Sequence, residues 1–126
     1  MADTWYTGNA NNDADQHRGW LLGHFIDPDV GAVRQTETLE VKWGIHPAGE
    51  QRLQWVSDDQ RTAMLLLVSG KFRLDLSVGS VVLERQGDYV VWGPGIDHSW
   101  QAVEDSVVVT VRWPSLPNNE RFQRGH

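Results

Sequence analysis

The chain contains no cysteine, which excludes disulfides, thiolate metal sites and a cysteine nucleophile. It also lacks a basic block: 11 Lys and Arg stand against 17 Asp and Glu, a net charge of −6. Nucleic-acid binding draws much of its affinity from clustered cations that neutralise phosphates, so no nucleic-acid partner is expected. The longest run of bulky apolar residues, Met64 to Val68, falls far short of the roughly 20 residues that span a bilayer. The N-terminal residues show no basic segment followed by an apolar one. No Asn-x-Ser/Thr acceptor occurs. These absences lead to the expectation of a soluble, cytoplasmic protein with no membrane partner. No nucleophile elbow, phosphate-cradling glycine loop or His-x-x-x-His pair is present either.

The 126 residues suffice for one domain with a single core. Gly8 to Asp15 is small, polar and acidic, and reads as a mobile surface segment. Gly19 to Ile26 is apolar but short and interrupted by glycine, and reads as a strand across its own sheet or across a second subunit. From Leu39 to His46 the chain alternates, with Leu39, Val41, Trp43 and Ile45 on one side and Glu40, Lys42, Gly44 and His46 on the other. Further strands are expected over Gln51 to Ser57, Thr62 to Val68, Lys71 to Leu76, Val81 to Leu83, Tyr89 to Trp92 and Val107 to Trp113. Short Val-rich strands separated by Gly, Pro and Asp turns, with no sustained 3.6-residue stripe, predict an all-β sandwich or barrel.

One stretch carries more information than the rest. Gly87 to Trp100 reads GDYVVWGPGIDHSW: a Gly-Asp turn, an apolar strand, a Gly-Pro-Gly reversal, and His98 at the start of the next strand. Pro94 presets φ and Gly95 accepts a positive φ, so the reversal is sharp. Asp88 is expected to accept backbone N–H bonds in its turn. The stretch resembles the second motif of the cupin superfamily, G-x5-P-x-G-x2-H-x3-N, with Gly93 where the family has Pro and Ala102 where it has Asn. The resemblance implies a small antiparallel β-barrel, the cupin jelly roll, over residues 19–114. Residues 1–18 are expected to be a flexible N-terminal segment and 115–126 a C-terminal tail. A homodimer is the expected assembly, as is common among cupins.

A metal-using cupin adds two histidines and a glutamate from a first motif, G-x5-H-x-H-x3,4-E-x6-G. Here Gly70 matches the closing glycine and Gly49 the opening one, which puts Trp55, Ser57 and Ala63 at the three ligand positions. A lone imidazole does not hold a first-row metal at useful affinity, so neither a metal nor another cofactor is expected. Asp58 and Asp59 read as solvated loop charges. His46 precedes Pro47 and reads as an exposed turn histidine, the alternative being a displaced ligand. His17, His24 and His126 fall in segments expected to be peripheral.

Seven tryptophans are many for this length. Trp43, Trp92 and Trp113 read as core residues. Trp55, by the resemblance, replaces an inward ligand, and Trp100 shares a strand face with His98. The expected site is therefore an aromatic pocket of Trp55, Ser57, His98 and Trp100 that binds a small organic ligand. Arg61, in register with Ala63 and Leu65, is the candidate anion contact, the alternative being a surface arginine; Arg52 and Arg73 read as surface residues. Three functions stay open: a metal-independent binding protein, an isomerase, epimerase or cyclase with His98 as general acid or base, and a metal enzyme with unusual ligands.

Overall fold

Alternating inward and outward residues, broken by Gly, Pro and Asp, set ten strands. The computed structural model describes residues 4–13, 18–116 and 120–122. In chain order the strands are β1 Trp20–Leu22, β2 Glu40–His46, β3 Gln51–Asp58, β4 Thr62–Ser69, β5 Phe72–Leu76, β6 Gly79–Leu83, β7 Tyr89–Trp92, β8 His98–Ala102, β9 Ser106–Trp113 and β10 Glu120–Phe122. They form two five-stranded sheets, ordered β1-β2-β9-β4-β7 and β10-β3-β8-β5-β6. Every strand pairing is antiparallel. The two sheets make the all-β jelly roll expected of a cupin.

Among the described residues helix is confined to short turns, α1 at Ala10–Asp13 and α2 at Pro28–Gly31, the latter followed by a 3-10 turn at Ala32–Arg34. At α2, Asp27 Oδ1 accepts the Asp29 N–H at 2.9 Å and Pro28 opens the turn, both ordinary helix-start chemistry. Among the described residues no helix is long and apolar enough to cross a membrane.

The core lies between the sheets. On β4, Ala63, Leu65 and Leu67 point in; from the facing sheet come Phe72, Leu74, Leu83 and Ala102. Gly70 turns β4 into β5 at φ +95°, and a Cβ there would run into the Asp105 carbonyl and Ser106. Only glycine fits that close approach.

Two sequence expectations change here. Ser115 is not the start of a loose tail: it is buried among β2 and Glu37, and β10 pairs with the end of β3 through Glu120↔Asp58 and Phe122↔Val56. The N-terminal segment also has a partner, since Trp43 Nε1 donates to Asn11 Oδ1 at 2.8 Å. His17 and His126 lie outside the described residues.

Asp88 behaves as its turn suggests. Its Oδ2 accepts the N–H groups of Glu84 at 3.1 Å and Arg85 at 2.9 Å, and those bonds hold its carboxyl below the usual carboxylate range. A carboxyl lowered on folding adds stability above its unfolded pKa and loses it as the pH falls through the folded value. Asp88→Asn should therefore unfold at lower urea than the parent at pH 7, and the gap should close as the pH drops below about 4. A gap that persists at pH 2 would show that the amide, not the lost charge, is responsible.

Candidate functional site

His98 begins β8 because Gly95, at φ +85°, completes the reversal that Pro94 starts. The Gly95 N–H is anchored on the Asp58 carbonyl at 2.8 Å. In register, His98 sits opposite Val56 on one side and Leu76 on the other, and Trp100 opposite Arg52 and Leu74. His98 and Trp100 both line a cavity of about 110 Å³ between the sheets.

The cavity has aromatic and aliphatic walls. Trp92 lies against His98 with ring centroids 5.0 Å apart. Trp100 stacks on Phe72 at 5.3 Å and 24°, and His46 packs against Trp100 at 4.6 Å. Leu65, Leu74 and Val108 complete the apolar surface. The polar lining includes the cations Lys42, Arg52 and Arg112 and, among the described residues, no Asp or Glu. Trp20 takes two of these cations on its ring, Arg112 at 4.6 Å and Lys42 at 5.5 Å, within cation–π range.

His46 is the residue the sequence misassigns most clearly. It is no exposed turn residue: its side chain is 16% exposed and lines the cavity. Its Nδ1 bonds Glu50, while its Nε2 lies over Gly44, 2.7 Å from where a Cβ would stand. Gly44 thus leaves the room that His46 and the cavity occupy. The parity read from β2 is correct, but the polar side, Glu40, Lys42, Gly44 and His46, is the inner one. Trp43 correspondingly sits half-buried on the outer face, and Trp113 is 39% exposed. Of the three expected core tryptophans only Trp92 is buried.

Trp55, Ser57 and Arg61 do not line the cavity. Between Arg52 and Val56, β3 advances four residues while β8 advances two. Arg52 and Val56 lie opposite Trp100 and His98 and share their inward face. Trp55 is left half-buried on the other side, and Ser57 Oγ bonds Asp97 Oδ1 at 2.6 Å. Arg61 is 4% exposed, but it is spent on carboxylates. Its Nε meets Asp58 Oδ2 at 2.5 Å and its guanidinium meets Glu40 Oε1 at 2.6 Å. Asp58, expected in solvent, is buried here and also accepts the Gln60 and Arg61 N–H groups at 3.0 Å.

Glu40 is the hub of this cluster. Fully buried, it receives Arg61 and also Arg112 on Oε1, the latter at 2.5 Å, and the Ser115 hydroxyl on Oε2 at 2.9 Å. The hydroxyl proton is thereby committed, so His24 Nδ1, 2.7 Å from Ser115 Oγ, donates to it. Arg112 is held in the cavity wall by this carboxylate.

The donor set does not fit the metal of metal-using cupins. Val56 and Ala63 face inward near His98, and neither is a ligand. Among the described residues no group of three His, Asp or Glu side chains is placed to hold an ion.

No protein-family model matches the chain, and no curated protein matches it. Solved structures do. KdgF from Halomonas sp. aligns over 66% of this chain and 74% of its own at 21% identity, TM-score 0.60. A cupin resembling RmlC from Shewanella frigidimarina aligns over 65% and 71% at 17% identity, TM-score 0.56. A Klebsiella pneumoniae protein with a double-stranded β-helix domain aligns over 69% and 71% at 17% identity, TM-score 0.60. At these identities the likeness is one of fold.

Removing the hub should be costly. Glu40→Gln leaves two buried guanidiniums short of a counter-charge, and breaking such a pair costs about 3–5 kcal/mol. Arg73→Gln, which breaks the exposed pair with Asp75, should cost under about 1 kcal/mol. Urea unfolding at pH 7 measures both, and equal losses would contradict the central role of Glu40.

Proposed function

We propose, from the cupin fold that this chain has, that it is a small-molecule-binding protein whose site is the cavity beside His98 and Trp100. The observation that carries this reading is the make-up of the cavity. Aromatic and aliphatic walls surround a space of about 110 Å³. Imidazole, hydroxyl and cationic groups supply the few polar contacts that orient a ligand in such sites. For scale, an apolar cavity of about 150 Å³ holds a benzene ring.

A fragment that enters should quench tryptophan fluorescence, because Trp20, Trp92 and Trp100 line the space. Gly44→Val should abolish the response with the fold intact. The new side chain would project into the cavity toward His46 and Val108, at a position whose backbone is ordinary strand. Trp100→Ala should weaken binding by about tenfold, the loss of one stacking ring together with its buried area. Trp55→Ala should leave it unchanged. Binding undiminished in Gly44→Val protein would place the site elsewhere.

A second reading, an acid–base enzyme of the isomerase or epimerase kind, has one observation in its favour. Glu50 on His46 Nδ1 orients that ring with Nε2 over Gly44, on the cavity side, an arrangement suited to moving a proton. Turnover lost in both His46→Gln and His98→Gln would favour it over simple binding.

A homodimer belongs to the same proposal. The outward side of β2, β9, β4 and β7 carries Trp43, Ile45, Leu66, Val91, Val109 and Val111, with no charged residue among the outward positions. Ile45 is 57% and Tyr89 61% exposed. A two-fold interface sets a surface against itself, and charges near the axis would approach their own copies; a charge-free apolar face avoids that repulsion. Light scattering should give about twice the 14.3 kDa chain mass, and Val109→Glu should return the monomer. A parent mass near that of one chain at micromolar concentration would rule out the dimer.

A further inference from the structure

Building on the cavity reading above, we infer that the ligand is a phenol, a hydroxyl on one flat ring, and that the hydroxyl meets Nε2 of His46. An ionised carboxylate only accepts hydrogen bonds, so Glu50 fixes a proton on the Nδ1 that it touches. Glu50 is itself anchored. Its carbonyl accepts the Ala102 N–H at 2.8 Å, and its own N–H donates to the Pro47 carbonyl at 3.0 Å. The imidazole also packs against Trp100, at 4.6 Å between ring centroids, and Phe72, at 5.5 Å. Ring orientation and the Nδ1 proton are thus both set, and the other nitrogen, Nε2, is the one that lies over Gly44. Among the described residues no hydrogen bond reaches it.

The group that Nε2 can take follows from its two protonation states. A neutral ring offers a lone pair there, and an imidazolium offers an N–H. An ether or a ketone suits only the second, and an amide N–H only the first. A hydroxyl donates to the lone pair or accepts from the N–H, so it fits both. The walls set the body that carries the hydroxyl. Phe72 and Trp100, stacked at 5.3 Å and 24°, make a flat wall beside His46, and aromatic faces favour a flat partner. The space of about 110 Å³ limits that partner to one ring. A hydroxyl on an aromatic ring is also more acidic than one on an aliphatic ring, which strengthens its bond to a basic nitrogen.

Phenol against toluene, rings of one size that differ in the hydroxyl, tests this on the full-length protein. Cyclohexanol supplies a hydroxyl on a puckered ring. Calorimetric titration should show phenol binding about tenfold tighter than toluene, the net worth of one hydrogen bond, with cyclohexanol well behind phenol. His46→Phe keeps a ring against Trp100 but drops both nitrogens, and should erase the preference while toluene still binds. Glu50→Gln, at a side chain 43% exposed, should lower phenol affinity several-fold and leave toluene unchanged. Nitrogen NMR gives a reading that needs no variant: phenol, and not toluene, should shift the His46 Nε2 resonance. Phenol and toluene binding equally well, both blocked by Gly44→Val, would overturn the hydroxyl contact and keep the cavity. A phenol preference that survives in folded His46→Phe protein, or an unmoved Nε2 resonance, would overturn the part assigned to His46. Cyclohexanol matching phenol would overturn the flat ring. Failure of all three compounds to bind would overturn the cavity reading and this inference with it.

Discussion

A fully buried carboxylate with two guanidiniums on one oxygen governs one end of this molecule. Glu40 is in β2, Arg112 in β9, Arg61 just before β4, and Asp58 at the end of β3. The first three belong to one sheet or its immediate approach, and Asp58 belongs to the other, so the ion cluster ties the sheets together where no apolar layer does. Ser115, just beyond β9, closes it from above with its hydroxyl. Desolvating such charges is repaid only by close geometry and full hydrogen bonding, and the contacts of 2.5 to 2.9 Å around Glu40 supply both. Arg112 acquires its place in the cavity wall as a consequence.

The opposite end is held differently, by His46, Phe72 and Trp100 packed ring against ring. Between the ionic end and the aromatic end the inward residues are small or charged: Gly44, Val108 and Thr110 leave volume, and Lys42 cannot fill it as a leucine would. Cationic stems pack along apolar walls while their heads keep polar company. The space between the two ends is therefore a property of residue choice on β2 and β9, the strands that pair Lys42 with Thr110 and Gly44 with Val108.

What could be read from the sequence was whatever is local. Gly87 to Trp100 encodes a turn, a strand, a reversal and an inward histidine in one contiguous piece, and the structure repeats it with Gly87 and Gly95 at positive φ. Strand alternation on β2 was legible too, but alternation has two sides and does not say which is wet. The rule that apolar faces point inward chose the wrong one, because on β2 the inward residues are the polar ones and the outward residues the apolar ones. The site positions on β3 were missed in register: counting from Gly49 lands on Trp55 and Ser57, whereas the residues opposite inward Trp100 and His98 are Arg52 and Val56. Arg61 and Asp58, three residues apart, carried a usable signal as opposite charges at a strand start; Glu40, which completes their cluster, is distant in sequence.

The inward side of β2 also sets the chemistry of the cavity beside His98. Val56 and Ala63 face inward near His98 and offer no metal-ligating side-chain atom. The cavity lining includes Lys42 and Arg52 and, among the described residues, no carboxylate. Fixed positive charge inside a low-dielectric space repels a second cation as strongly as it attracts an anion.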